Sequence, residues 1–371
     1  NRIWGDTGRS VAPFRVVHLP LMENNYFTDA FQFRFRNYGG LSGSLDHFHL
    51  DMVYLREATP PAYIDTVFKD FSFVYPVNSL LNEYTSVPWD HYRESIDNKM
   101  SAAMEVVVFN GSSGPENYQD GAIDIAYNGI SEGNFILQGF TLAEQQINYA
   151  ALDFATSYHD LKSGYEFPRD LLGVYEEFDV RVNASAQYPN YQPNDSTAFT
   201  QGFYNFYSYD DGSAEAAFGP TGVQARLAIH FEAYQPDSLI GVKLCFVPSV
   251  NDVSNKLFLL TVWDDENGEP GDVLYEDDVF NPRNPTYSQG NNQYLNYYFI
   301  DTMKVPVGNS FFIGWRQLDP ERLNLGFDRN IDQSDEIFYS VNGGVSWLVS
   351  PFSGSAMARP IFSTQMDASL G

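Results

Sequence analysis

The chain has 371 residues, enough for two or three domains that each bury a core of their own. Its 48 acidic residues against 21 basic ones leave a formal net charge of −27, which repels nucleic acid and disfavours an anionic membrane surface, since Lys and Arg supply most of that affinity. Aromatic residues make up 16% of the chain, 30 Phe and 25 Tyr among them. Such side chains fill a pleated, half-buried surface, so an all-β fold is expected.

Residues 1–60 read as the tail of a domain. Phe31, Phe33 and Phe35 alternate with Gln32, Arg34 and Arg36, the period-two pattern of a strand with one buried face. After a Gly/Ser-rich turn, Phe48, Leu50, Met52 and Tyr54 alternate with His47, His49, Asp51 and Val53, which predicts a second strand. Two strands are marginal by themselves, so their partners are expected upstream of Asn1. His47, His49 and Asp51 would share one strand face, the spacing that opens some metal-hydrolase sites. Met52 stands where that pattern continues with histidine, and Arg34 and Arg36 on the neighbouring strand would repel a metal and attract Asp51. A surface network is the stronger reading.

Pro60 and Pro61 mark a boundary, and residues 61–205 form the second domain, a β-sandwich by its strand spacing. Strands are predicted over 64–74, 106–109, 122–127, 135–140 and 178–182, with short helical turns at 142–152 and 80–84. A polar stretch over 188–196 is either a link towards the third domain, 206–371, or part of the last strand pairing of the second. There the predicted strands are 224–231, 238–247, 256–263, 295–301, 310–317, 336–340 and 356–362, separated by Glu266-Asn-Gly268, Pro270-Gly271 and Asn342-Gly-Gly344 as turns. Seven or more short strands suit a two-sheet jelly roll.

Acidic loops are the candidate sites. Asp210, Asp211 and Glu215 lie in Tyr209-Asp-Asp-Gly-Ser-Ala-Glu215, Asp264 and Asp265 precede Asn267-Gly268, and Asp328, Asn330 and Asp332 follow at spacings of two. Calcium is the ion such oxygens would take, as a structural staple and with no cofactor required; the competing reading makes them Asx turns and solvated hairpin ends. Cys245 lies in an apolar run without a second cysteine, which excludes a disulfide framework and predicts a buried thiol. No apolar stretch is long enough for a spanning helix, and residues 1–10 lack the order of a signal peptide. No nucleophile elbow, His-Glu-x-x-His helix or phosphate-binding glycine loop is present. Distant carboxylate pairs leave no local trace. Of the tryptophans, Trp315 is expected in the core, and Trp347, after Asn342-Gly-Gly344, is the candidate for stacking on a sugar.

Four segments carry a resemblance: Tyr209 to Glu215, Phe311-Phe-Ile-Gly-Trp315, Gly326-Phe-Asp-Arg-Asn330 and Met357-Ala-Arg-Pro360. Together they resemble the β-rich modules of Bacteroidota proteins exported by the type IX secretion system. The resemblance implies that 1–60 is the end of a jelly-roll module, 61–205 an Ig-like β-sandwich and 206–371 a C-terminal jelly roll. It implies an extracellular or outer-membrane-surface location and a non-catalytic structural or adhesive role, with surface proteins or glycans as partners. The alternative is the carbohydrate-binding accessory part of a secreted hydrolase. O-glycans on Asp-Ser/Thr-x triplets are implied as well, at Thr66, Ser196, Ser238 and Thr302, with Ser196 in the link the foremost. Oligomeric state is left open.

Overall fold

A computed structural model describes residues 2–7, 15, 17–38, 50, 53–55, 70–74, 77–95, 99–116, 118–136, 149–160, 165–186, 194–248, 251–288, 290 and 292–363. The fold is all-β, in antiparallel sheets with one short α-helix among the described residues.

The first half contains β1 (Phe71–Phe73), α1 (Trp89–Glu94), β2 (Ala103–Asn110), β3 (Tyr118–Tyr127), β4 (Ile130–Ile136), β5 (Asp153–Asp160), β6 (Glu176–Ala186) and β7 (Ser196–Phe203). They form two sheets, β1-β2-β5 and β4-β3-β6-β7. Alternation sets their faces: Met104, Val106 and Val108 of β2 are buried, as are Phe178, Val180 and Val182 of β6, while the residues between them are more exposed. Asn128 and Gly129 have positive φ and supply the two-residue turn that closes β3 on β4. Trp89 and Tyr92 of α1 pack on Phe203 at ring distances of 5.4 and 4.6 Å, and Phe167 meets Phe178 at 4.6 Å.

The second half contains β8 (Ala216–Phe218), β9 (Arg226–Glu232), β10 (Asp237–Leu244), β11 (Phe258–Glu266), β12 (Glu269–Glu276), β13 (Leu295–Tyr298), β14 (Val305–Val307), β15 (Ser310–Gln317), β16 (Leu325–Asp328), β17 (Ile337–Ser340), β18 (Leu348–Val349), β19 (Ser355–Ala356) and β20 (Ala358–Phe362). The sheet β12-β11-β15-β9-β17-β18 faces a second, in which β10 pairs with β13 and β14 on one side and β20 on the other. A small sheet, β19-β16-β8, completes the half. Phe311, Ile313 and Trp315 of β15 enter the shared core; Trp315 meets Phe246 at 5.8 Å and Phe311 meets Phe362 at 6.0 Å. Phe312, of opposite parity, joins Ala228 and Trp263 in a separate cluster on the outer face. Asn267 and Gly268, both at positive φ, turn β11 into β12. Cys245 is buried, as its sequence context predicts.

Several local expectations are corrected. Residues 31–38 form no strand, although Phe33 and Phe35 still touch at 5.8 Å, because alternation without a pairing partner makes no ladder. Residues 80–84 are not helical; Leu81 bridges to Met100, and the helix begins after Pro88. Pro270-Gly271 lies inside β12 rather than in a turn. Proline is tolerated there because β12 is an edge strand, paired irregularly with β11. His47, His49, Asp51, Thr66 and most of 142–152 lie outside the described residues.

Candidate functional site

The segment joining the two halves is built from tyrosines that anchor into both. Tyr84 stacks on Tyr209 at 4.8 Å, and its phenol donates to the carbonyl of Glu232 at 3.0 Å and accepts the Glu232 N–H at 2.9 Å. Ser86 and Ser208 form an isolated bridge beside it. These bonds cross the sequence boundary at 205/206, and one continuous apolar core spans it.

Directly after Tyr209 comes Asp210, whose side chain is fully buried and paired with Arg359 of β20. Arg359 Nε donates to one carboxylate oxygen at 3.2 Å, and a terminal guanidinium nitrogen donates to the other. Tyr294 adds its phenol at 2.6 Å, Ser208 its hydroxyl at 3.1 Å and Gly212 its N–H at 2.9 Å. Burial by itself would raise the Asp210 carboxyl, but the charge and hydrogen bonds of Arg359, with Tyr294 and Ser208, outweigh it and hold it below the usual range. Arg359 also lies over the rings of Tyr294 and Phe206, at 4.0 and 5.1 Å.

The structure brings the first and third acidic clusters together. Asp328 accepts the N–H groups of Asp211 at 2.8 Å and Asn330 at 2.7 Å; Asn330 donates its amide to Asp211 at 2.8 Å. Glu215 accepts the Arg329 N–H at 3.0 Å and the Ser213 hydroxyl at 2.8 Å. Asp328 is buried, and burial raises its carboxyl to about 7; Asp211 and Glu215 push the same way against the two N–H bonds. Asp332 stands apart, accepting the N–H groups of Ser334 and Gly354. Asp264 is exposed at the far hairpin, where Asp265 accepts the Gly268 N–H at 2.6 Å. Asp210 and Asp211 each accept the N–H two residues on, as Asx turns do. Among the described residues no group of three or more His, Cys, Asp or Glu is arranged to hold a metal ion.

Two histidine constellations have no local signature. Glu336, His230 and Ser310 stand in the order of a nucleophilic triad, with Glu336 Oε2 2.6 Å from His230 Nδ1 and Ser310 Oγ 2.7 Å from Nε2. The serine proton, however, goes to Asp265 Oδ2 at 2.5 Å. A nucleophilic serine must turn that proton towards the imidazole, so the arrangement is the reverse of an activated one. The other histidine, His91 of α1, is buried between Tyr207 at 2.8 Å and Asp237 at 3.1 Å. Tyr207 accepts the Tyr234 N–H, leaving its own proton for His91 Nδ1. The hollow beside His91, lined also by Tyr204, Asn205 and Asp237, encloses about 10 Å³, room for one water.

Ser196 is exposed at the start of the edge strand β7, paired with β6, so this end of the polar stretch belongs to the strand pairing; Thr302 is exposed and Ser238 half-buried within β10. Trp347 is half-buried rather than free, with its ring 5.8 Å from that of Trp263. Trp89, Trp263 and Trp315 are fully buried. No described helix is long and apolar enough to cross a membrane. No family model, curated protein or solved structure matches the chain.

Proposed function

We propose that the chain is a non-catalytic structural or adhesive protein of a secreted or cell-surface assembly, of the kind exported by the Bacteroidota type IX system, with surface proteins or glycans as its partners. One observation carries the reading: the residues behind the resemblance are spent on framework. Asp210 from the first segment pairs with Arg359 from the fourth, Asp328 from the third holds the Asp211 backbone, and Met357 donates its N–H to the Gly326 carbonyl. Phe311, Ile313 and Trp315 from the second fill the core.

Binding is assigned to exposed loops. Val345 is 85% exposed, and Leu348 and Phe352 are more than half exposed, around the half-buried Trp347; exposed apolar groups of this kind favour contact with a partner. Structural calcium, within the same proposal, takes oxygens from the exposed Asp211 or Asp264 loops. Purified chain on a glycan array and against ester, peptide and glycosidic substrates tests the proposal. Turnover of any substrate would overturn the non-catalytic reading, and binding lost in Trp347→Ala would support the glycan partner. A melting curve unmoved by chelation at constant ionic strength would remove calcium, since a ligand of the folded state stabilises it.

A further inference from the structure

We infer that Glu336, His230, Ser310 and Asp265 form a proton-operated latch across one end of the six-stranded sheet, closed when His230 carries two protons and released when it loses one. This goes beyond the scaffold reading and does not depend on it.

The four residues come from adjacent positions in the order β11-β15-β9-β17: Asp265 near the end of β11, Ser310 opening β15, His230 in β9, and Glu336 immediately before β17. Their three contacts measure 2.5, 2.7 and 2.6 Å from Asp265 to Glu336. Counting protons decides the state. Three hydrogen bonds need three hydrogens, and neither carboxylate supplies one. Ser310 gives its hydrogen to Asp265, so Ser310 Oγ can only accept from Nε2–H, while Nδ1–H serves Glu336. Only the imidazolium has both. A neutral His230 that keeps Nδ1–H would leave Nε2 and Asp265 competing for the single serine hydrogen, and one link would open.

The charges around the ring favour the same state. Its own strand contributes Glu232, β11 contributes Asp265 and the turn before β17 contributes Glu336; β15 offers the Ser310 hydroxyl and the Phe312 ring at 4.8 Å, without charge. Tyr209, a neutral phenol from the joining segment, lies within the field of Glu336, Glu83 and Glu232. Burial works to lower His230, yet the Glu336 hydrogen bond and the carboxylate charges outweigh it and leave it raised. A raised histidine contributes stability that is fully present below its unfolded value of about 6.5 and is lost as pH rises through the folded value.

What the latch holds is the periphery. Asp265 also caps the β11–β12 turn through the Gly268 N–H at 2.6 Å, and Glu336 closes the 3-10 turn Ser334–Glu336, where Asp332 holds the Ser334 and Gly354 amides. Below the His230 midpoint the hairpin and this turn are therefore locked together, and above it they are freed.

The test is an imidazole NMR titration of the whole chain, with His230→Gln to assign the signal, beside melting curves of wild type and Glu336→Gln. His230 is expected to titrate above about 6.5 and to fall towards it in Glu336→Gln. The wild-type advantage in Tm should shrink as pH rises through that midpoint. Hydrogen exchange of the Gly268 amide, corrected for its intrinsic pH dependence, should accelerate through the same midpoint in wild type but not in Ser310→Ala, which severs the relay while sparing the His–Glu contact. A midpoint at or below the ordinary value, a Tm gap independent of pH, or exchange insensitive to the titration would overturn the latch.

Discussion

Replacing Arg359 by methionine removes the cation from a carboxylate that has nowhere to go. Asp210 is fully buried, and it keeps only the Tyr294 phenol, the Ser208 hydroxyl and the Gly212 N–H. Breaking a buried pair from one side costs about 3–5 kcal/mol; those three remaining donors argue for the lower part of that range. For a cooperative unit of roughly 150–250 residues, each kcal/mol moves Tm by about 2–4 °C, so a fall of roughly 10 °C at pH 7 is expected by calorimetry. Acid supplies the diagnostic. In wild type the lowered Asp210 contributes stability that is present above the unfolded value of about 3.9 and is lost as pH falls through its folded value. Without Arg359, burial dominates and raises that carboxyl, so the variant takes up a proton on folding and regains ground as pH falls towards about 4. The deficit should therefore shrink on acidification, and Asp210→Asn combined with Arg359→Met should recover much of it at pH 7. A deficit under about 1 kcal/mol, or one that stays constant with pH, would refute the claim that this pair ties the Tyr209 segment to β20.

Tyr84→Phe keeps the ring stack on Tyr209 but strips the phenol from both backbone groups of Glu232; a loss of about 1–2 kcal/mol in urea denaturation is expected, and an unchanged midpoint would show that the joint is purely apolar. Asp328, raised to about 7, makes the folded state lose stability as pH climbs from about 4 towards that value, because the unfolded chain releases the proton first. Carboxyl NMR should find Asp328 titrating near neutrality, and Glu215→Gln should lower its midpoint; titration in the ordinary carboxylate range would count against the burial of this group.

The features legible in the sequence are those whose cause is local. Strand β15 could be read because Phe311, Ile313 and Trp315 share one parity, and the turn at Asn267-Gly268 because both residues accept positive φ; β12 beyond it was hidden, since Pro270-Gly271 carries a turn signal of its own. Parity also misled at Phe31, Phe33 and Phe35: alternation states which face would be buried, not whether a partner strand exists to bury it. The joint and the latch depend on groups far apart in sequence. Asp210 and Arg359 are 149 residues apart, and His230 and Glu336 are 106 apart; neither partner announces the other, since a carboxylate in an acidic chain has an ordinary solvated reading at every position. The segment around Arg359 was visible as a motif, but its role was not, because only the folded register of β20 on β10 carries that guanidinium to Asp210. The acidic clusters illustrate the same limit from the other side. Read along the chain, Asp211 and Asp328 are two candidate cation loops, but across the fold one is the backbone donor and the other the acceptor of a single hydrogen bond. Carboxylates whose lone pairs already face N–H groups are framework before they are ligands.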